Sequence, residues 1–313
     1  MSGEAAATGR ATPFDPQVLM GIKNLELRAR AVVEGFWSGL HRSPYHGFSV
    51  EFTEYRQYSP GDDLRYLDWK VLARSDRHFI KRFEDETNLR CHLLVDGSGS
   101  MGFGTVGYSK GDYAGTLAAS LGLFLERQGD AVGLMRFDEG IRDYIPARHR
   151  VGHLPMLMRA LAQPAGGVGT AVTGAIDRLV EVLKKRGMVV VISDFLADVS
   201  ELDKSLMRLA ACGHEVMVFQ VLDPGELDLS FAGSSMFVDL ETGREMLLDP
   251  ERVRGDYSAR LSEHCENVRS LCLNLGLTHV RVRTDEPLKR VLYEFLRSRL
   301  MAGRRVRRAG LFG

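Results

Sequence analysis

From about residue 89 onward, short continuous apolar runs alternate with longer segments in which apolar residues recur at helical spacing. The apolar runs predict strands at Cys91–Val95, Ala131–Phe137, Met188–Ile192, Glu215–Leu222 and His279–Val282. The intervening segments predict helices at 112–128, 152–162, 172–186, 200–212, 251–275 and 286–301. Strands that are apolar throughout and separated by helices are typical of a parallel sheet buried on both faces. The pattern therefore predicts an α/β fold with a mostly parallel sheet and helices on both faces.

The first ninety residues follow a different pattern. Apolar residues recur at helical spacing from Pro16 to Leu40, and Asp15 stands where an N-cap is expected, so we predict one amphipathic helix there. Two strand-like runs then flank a turn-rich segment, at Phe48–Tyr58 and Arg77–Phe83. This part of the chain is predicted to hold a helix followed by a charged, β-rich segment.

A β-hairpin is predicted to interrupt the later alternation, within residues 226–250. Two apolar runs flank a turn that contains Gly243. With this insertion we expect four parts of the chain. They are a disordered N-terminus at 1–13, the helix and β-rich segment at 14–88, an α/β domain at 89–303 with the 226–250 hairpin, and a basic tail at 304–313.

Composition excludes several classes of partner and location. Lys and Arg together number 41, as do Asp and Glu, so no overall field favours nucleic acid. No stretch approaches the ~18 apolar residues of a membrane-spanning helix, and the N-terminus lacks the apolar run of a signal peptide. The four cysteines fit no metal or redox spacing and are expected to be buried thiols of a reducing compartment: Cys91, Cys212, Cys265 and Cys272. We expect a cytoplasmic protein that neither spans a membrane nor binds nucleic acid.

Oxygen-bearing side chains follow two of the predicted strands. Asp96, Ser98 and Ser100 form an Asp-x-Ser-x-Ser sequence after the first strand of the α/β domain, and Asp194 follows a later one. Thr170 ends a glycine-rich stretch before the helix that leads to Asp194. Parallel strands end at one edge of a sheet, where ligands bind, and hard oxygen donors suit Mg²⁺ or Mn²⁺. These five residues are predicted to form a metal site.

The sequence disfavours most enzyme classes at this site. The GxGxxG sequence at 102–107 does not join a strand directly to a helix, and Asp138 is not at the position of the expected acid, which disfavours a nucleotide-binding oxidoreductase. No nucleophile elbow, phosphate loop or Asp-x-Asp sequence occurs. A Mg²⁺-dependent phosphoryl or ester hydrolase built on Asp96 and Asp194 stays open as the alternative, although no His closely follows either acid as a base. We expect that the protein is not an enzyme.

The same sequences resemble a known family. Asp-x-Ser-x-Ser, the Gly-Gly-x-Gly-Thr stretch and the Ser-Asp strand end are similar to the metal-ion-dependent adhesion site of von Willebrand factor A domains. The chain more closely resembles the bacterial domain-of-unknown-function 58 family, through Glu54–Lys70, Ala73-Arg74 and Lys81–Glu84. The von Willebrand-like part covers about 89–300, and the family resemblance extends back to about residue 20. The resemblance implies a three-layer, Rossmann-like von Willebrand factor A domain.

The resemblance also implies roles for these residues. Asp96, Ser98, Ser100, Thr170 and Asp194 would hold the ion, and a partner's Asp or Glu carboxylate would take its open position. The glycine-rich loop departs from the family pattern, which leaves Thr173 as an alternative to Thr170. The resemblance further implies an adaptor or co-chaperone that works with a MoxR-type AAA+ ATPase. The charged block at 54–86 is either a docking face or an ion-paired surface.

Overall fold

The computed structural model describes residues 15–42, 54–57, 79–82, 89–167, 172–183, 185–231, 233–240 and 243–309. The chain divides into two compact units. One unit contains Met1–Trp37 and Leu89–Gly313, and the other contains Ser38–Asn88. The predicted disordered N-terminus at 1–13 lies outside the described residues, as do the side chains of the predicted basic tail.

The N-terminal helix is present, but it is two helices where one was predicted. Helix α1 spans Pro16–Met20 and helix α2 spans Leu25–Arg42. The Asp15 side chain accepts the backbone N–H of Gln17, as an N-cap does. Asn24 caps the second helix in the same way, since its Oδ1 accepts the N–H of Leu27 at 3.0 Å. This second cap, which the apolar periodicity does not reveal, separates the two helices.

The unit formed by Ser38–Asn88 contains a two-stranded sheet. Strand β1 spans Glu54–Gln57 and strand β2 spans Phe79–Arg82, and they pair antiparallel with Glu54 opposite Arg82. Both strands fall within the predicted runs. The rest of the charged block at 54–86 lies outside the described residues.

A six-stranded sheet forms the centre of the other unit. Its strands are β3 (Arg90–Asp96), β4 (Ala131–Phe137), β5 (Ile141–Arg148), β6 (Met188–Ser193), β7 (Glu215–Leu222) and β10 (Thr278–Arg283). They lie in the order β10-β7-β6-β3-β4-β5, and all neighbouring pairs are parallel except β4 with β5. The five predicted strands and the mostly parallel α/β class are confirmed. Strand β5 was not predicted, because it is an edge strand whose residues are mostly exposed and whose apolar run is broken by Arg142 and Asp143.

Helices follow most of the strands and cover both faces of the sheet. They are α3 (Lys110–Arg127), α4 (His153–Leu161), α5 (Val172–Val182), α6 (Val199–Ala211), α7 (Pro224–Asp228), α8 (Pro250–Asn274) and α9 (Leu288–Ala309). Leu94 packs in one core cluster with residues of α5, α6 and α8. The neighbouring Leu93 points to the opposite face, toward α3, where its Cδ1 is 3.7 Å from the Cβ position of Gly122. Adjacent residues of one strand thus reach different helical layers.

The predicted hairpin is present as strands β8 (Ser235–Val238) and β9 (Glu245–Leu248), which pair antiparallel. One expectation about the thiols is wrong. Cys91, Cys265 and Cys272 are buried, but Cys212 is exposed, because it lies at the C-cap of α6, past the helix's buried face. Within the described part of the chain, no helix is both long and apolar enough to cross a membrane.

Candidate functional site

The carboxyl ends of β3 and β6 form a crevice in the middle of the sheet. The chain leaves β3 toward β4 on one side, and β6 is the first strand on the other side. Such a switch point opens a crevice that binds ligands in α/β proteins. Asp96 is the last residue of β3, and Asp194 directly follows β6. The topology therefore brings the two predicted acids to adjacent strand ends.

Asp96 is held by the loop that follows it and by the neighbouring strand. Its Oδ1 accepts the backbone N–H of Ser98 at 2.9 Å, and its Oδ2 accepts the Ser193 hydroxyl at 2.5 Å. The hydroxyls of Ser98 and Ser100 are 3.1 Å apart. Asp96 and Ser98 are buried, and Ser100 is partly exposed. One short loop thus groups a carboxylate with two hydroxyls, the outer of which reaches solvent.

Burial and a nearby charge raise the pKa of Asp96. The pKa rises to about 7 because the carboxyl group is desolvated and because the charge of Asp194 repels its ionised form. Hydrogen bonds from Ser193 and Ser98 oppose this rise without cancelling it. Ionisation of Asp96 is therefore costly in this site, and a bound cation would stabilise the ionised form.

A buried lysine that the sequence analysis missed lies beside Asp194. Lys110 is fully buried, and its Nζ donates to Asp194 Oδ2 at 2.8 Å and to Glu226 Oε1 at 2.5 Å. Burial lowers the pKa of Lys110, but the two carboxylates outweigh burial and raise it overall. The other oxygen of Asp194 accepts the N–H of Leu196 at 3.2 Å. The contact that the structure shows for the Asp194 carboxylate is therefore an ion pair with Lys110.

A signal for Lys110 is present in the sequence. It is the first residue of α3, and this end of a helix disfavours a positive charge. Ser109 and Asp112 form a capping box around it, and the helix beyond is almost wholly buried. A cation at that position requires a specific anionic partner, but the sequence does not say which one.

The charge of this cluster fits a divalent ion. When ionised, Asp96, Asp194 and Glu226 carry three negative charges and Lys110 carries one positive charge, which leaves a net charge of −2. The carboxylate and the two serine hydroxyls are hard oxygen donors of the type that Mg²⁺ and Mn²⁺ prefer. Within the described ranges, no three Asp, Glu, His or Cys side chains form a metal-binding group. Binding of an ion would therefore depend on the hydroxyls.

The glycine-rich loop lies against the Asp-x-Ser-x-Ser loop. The backbone N–H groups of Gly166 and Gly167 both donate to the carbonyl oxygen of Gly97, at 3.1 Å each. Thr170, the predicted ligand from this loop, lies outside the described residues. The alternative, Thr173, is a half-buried residue in the first turn of α5. The structure thus places the start of this loop, but not Thr170, beside the candidate site.

The GxGxxG sequence has a structural role in this region. The hydroxyl of Thr105, within that sequence, donates to the buried Asp223, and the Thr105 N–H donates to the same carboxylate at 3.1 Å. Asp223 also accepts the hydroxyl of Thr284 at 3.0 Å. These bonds fasten the 102–109 loop to the ends of β7 and β10.

The inserted hairpin rests on the Asp-x-Ser-x-Ser loop. A Cβ atom on Gly99 would lie 2.5 Å from the carbonyl oxygen of Leu240, which no side chain tolerates. A cleft of about 370 Å³ opens next to this contact, and Ser100 is among its lining residues. The hairpin and the candidate site are therefore in direct backbone contact.

Comparison with known proteins gives a family match and several relatives. The family described as "Protein of unknown function DUF58" matches residues 54–267. The protein named "Uncharacterized protein Rv1480" from Mycobacterium tuberculosis is 31% identical over 290 residues, which cover 91% of this chain and 90% of that protein. A second protein, "Uncharacterized protein MAV169" from Mycobacterium avium, is 33% identical over 169 residues, covering 51% of this chain and 98% of that protein.

Two solved structures have a similar arrangement of elements. One is a conserved hypothetical protein, BatB from Bacteroides thetaiotaomicron, with a TM-score of 0.42 and 16% identity, covering 67% of this chain and 98% of that one. The other is the SpRpn10 VWA domain, with a TM-score of 0.39 and 11% identity, covering 66% of this chain and 94% of that one. The fold class rests on the strand order described above, independently of these two structures.

Proposed function

The chain belongs to the DUF58 family, and on that premise we propose that it is a protein-interaction module that binds a partner's carboxylate through a divalent cation. The observation that carries the proposal is the cluster of Asp96, Asp194, Glu226 and Lys110 beneath the two serine hydroxyls, in which three carboxyl groups share one cationic side chain. Ionising all three carboxyl groups inside a protein is costly unless a further cation accompanies them. The cluster is therefore suited to hold Mg²⁺ or Mn²⁺.

The proposed roles of the five predicted ligands differ. Ser98 and Ser100 would contact the ion, and Thr170 would be delivered by the loop that begins at Gly166. Asp96 and Asp194 would bind the ion directly or through a bridging water, since both oxygens of each carboxylate already accept hydrogen bonds. When bound, the ion would supply a positive charge with an exchangeable position toward solvent. Neutral hydroxyl ligands leave more of that charge available to an incoming anion than carboxylate ligands would.

We further propose that the partner is a MoxR-type AAA+ ATPase. This part of the proposal rests on the family resemblance and not on the geometry of the site. It makes the protein an adaptor or co-chaperone whose interaction with the ATPase depends on the ion.

The hydrolase alternative would use the same two acids. Asp96 and Asp194 lie at adjacent strand ends, where a Mg²⁺-dependent hydrolase would need them. Against this, both oxygens of Asp96 already accept hydrogen bonds from Ser98 and Ser193. Turnover of a phosphate or acyl ester by purified protein, abolished by Asp96→Ala, would favour the hydrolase over the interaction module.

The experiment that tests the proposal measures partner affinity with and without the ion. Purified MoxR-type ATPase from the same genome is titrated with wild-type protein in Mg²⁺ or in EDTA, by calorimetry. We expect at least a tenfold loss of affinity in EDTA and in Asp96→Ala, with a smaller loss in Ser98→Ala. Arg178→Ala, which changes only an exposed ion pair with Glu181, is the control. Equal affinity in Mg²⁺ and EDTA would contradict the metal-bridged mechanism.

A further inference from the structure

The cleft beside Ser100 is apolar and continuous with the candidate ion site. Its volume is about 370 Å³, within the ~300–1,000 Å³ typical of ligand pockets. Phe103, Leu229 and Phe231 line one part of it, and Phe237 and Leu240 of the hairpin line another. The rings of Phe231 and Phe237 meet edge to face with centroids 5.7 Å apart.

Backbone contacts hold the cleft in position relative to the serine hydroxyls. Leu240 belongs to the cleft lining, and its carbonyl oxygen touches Gly99, which lies between the two serines of the loop. Ser100 belongs both to the loop and to the lining. A segment that reaches Ser100 therefore runs directly alongside the apolar walls.

The mostly apolar lining of the cleft restricts what it accepts. Of the acidic side chains in that lining, Glu226 is paired with Lys110. A carboxylate placed among these apolar walls would lose its hydration, whereas an uncharged apolar side chain would gain from burial among aromatic residues. An anion is favoured only at the Ser100 end, where the proposed ion lies.

We infer that the cleft receives a Leu, Met or Phe side chain of the partner, two residues away in sequence from the Asp or Glu that binds the ion. A large apolar side chain buries about 150–250 Å² when it is aromatic, which suits a cleft of this size. Side chains two positions apart in an extended segment point to the same face and lie about 6.6 Å apart, so both groups reach their sites together. This inference rests on the proposed function and adds the recognition of a second partner residue.

The test uses two displayed libraries of nine-residue peptides. One library has Asp or Glu fixed at the centre, the other has Asn or Gln there, and all other positions are random. Both are selected on the full chain in Mg²⁺ and in EDTA. The variants are Val238→Glu, which puts a charge in the cleft lining, and Val238→Trp, which fills it. Val238 is 50% exposed, and Leu247→Glu, at a residue of the same hairpin that is 67% exposed and outside the lining, is the matched control.

We expect Mg²⁺-dependent enrichment of the acidic library, with Leu, Met or Phe concentrated two positions away from the acid. That preference should fall at least tenfold in both Val238 variants and persist in Leu247→Glu, with thermal melts confirming that all three are folded. Two outcomes would overturn this inference and leave the proposed function standing. In the first, acidic peptides are enriched in Mg²⁺ but show no preference for Leu, Met or Phe. In the second, they show that preference and the Val238 variants do not reduce it. Enrichment that is the same in EDTA, or absent from the acidic library, would overturn both.

Discussion

Lys110 is the residue on which the interior of the candidate site depends. It is fully buried between Asp194 and Glu226, so its removal leaves two carboxylates without their cation. Breaking a buried ion pair by removing one partner typically costs about 3–5 kcal/mol. We expect Lys110→Met to lower the free energy of unfolding by about that amount, measured by urea denaturation in EDTA.

A matched substitution on the surface separates this effect from a general loss of charge. Arg178 pairs with Glu181, and both side chains are more than half exposed, at 57% and 63%. Arg178→Met is expected to cost less than about 1 kcal/mol, because exposed pairs contribute little. If the two substitutions cost the same, the buried pairs of Lys110 do not stabilise the fold.

His92 gives the protein a dependence on pH. The pKa of His92 is lowered to about 4, mainly by burial and also by the charges of His214 and Arg90. Its folded-state pKa lies below the ordinary value of 6.5, so the unfolded chain binds more protons between these values. The stabilisation is complete above about pH 6.5 and is lost as the pH falls toward 4, by roughly 3 kcal/mol in total.

The difference between wild-type protein and His92→Leu isolates this contribution, because other groups titrate in the same range. Urea denaturation at several pH values should give the variant a shallower loss of stability from pH 6.5 to 4 than the wild type. Parallel curves for the two proteins would mean that His92 is not held neutral by the fold.

At the scale of elements, the contact between the hairpin and the Asp-x-Ser-x-Ser loop makes a testable prediction. Gly99→Ala places a Cβ 2.5 Å from the Leu240 carbonyl oxygen, so one of the two backbones must move. Such overpacking typically costs about 1–3 kcal/mol. We expect Gly99→Ala to lower the melting temperature and to shift the amide resonances of β8 and β9.

Gly102→Ala is the control for this prediction. It changes the same loop, but a Cβ there has no atom within 4 Å to meet. Its melting temperature should remain close to that of the wild type. Equal effects of the two substitutions would show that the hairpin does not rest on the loop in solution.

The apolar pattern of the sequence predicted some elements of the fold and missed others. The buried strands were predictable because a strand covered on both faces is apolar throughout, as Met188–Ser193 is. Strand β5 was not, because its exposed face breaks that pattern. In the site, Asp96 and Asp194 follow recognisable strands, whereas the pairing of Lys110 with residues 84 and 116 positions away depends on tertiary structure.

At the scale of the whole molecule, the proposed ion should stabilise folding by mass action. The cluster that would bind it is assembled only in the native chain, so binding favours the native state. At an ion concentration 100 times the Kd, the free energy of unfolding should rise by about 2.7 kcal/mol. Urea denaturation in Mg²⁺, Mn²⁺ and EDTA measures this rise, with Ca²⁺-free buffers throughout.

Asp96→Asn should lose most of this stabilisation, because it removes the charged ligand but keeps the size of the side chain. If the ions raise the free energy of unfolding of Asp96→Asn as much as that of the wild type, they bind at another part of the protein.

The contacts of Lys110 with Asp194 and of Asp96 with Ser193 also bear on how the protein is made. A ribosome adds about 5–20 residues per second, so the roughly 100 residues from Asp96 to Asp194 take on the order of 5–20 seconds to synthesise. Until then the Asp-x-Ser-x-Ser loop is part of a nascent chain that lacks the last of the proposed ligands. We therefore expect the ion to bind only after translation has passed β6, too late to act as a template for the early steps of folding.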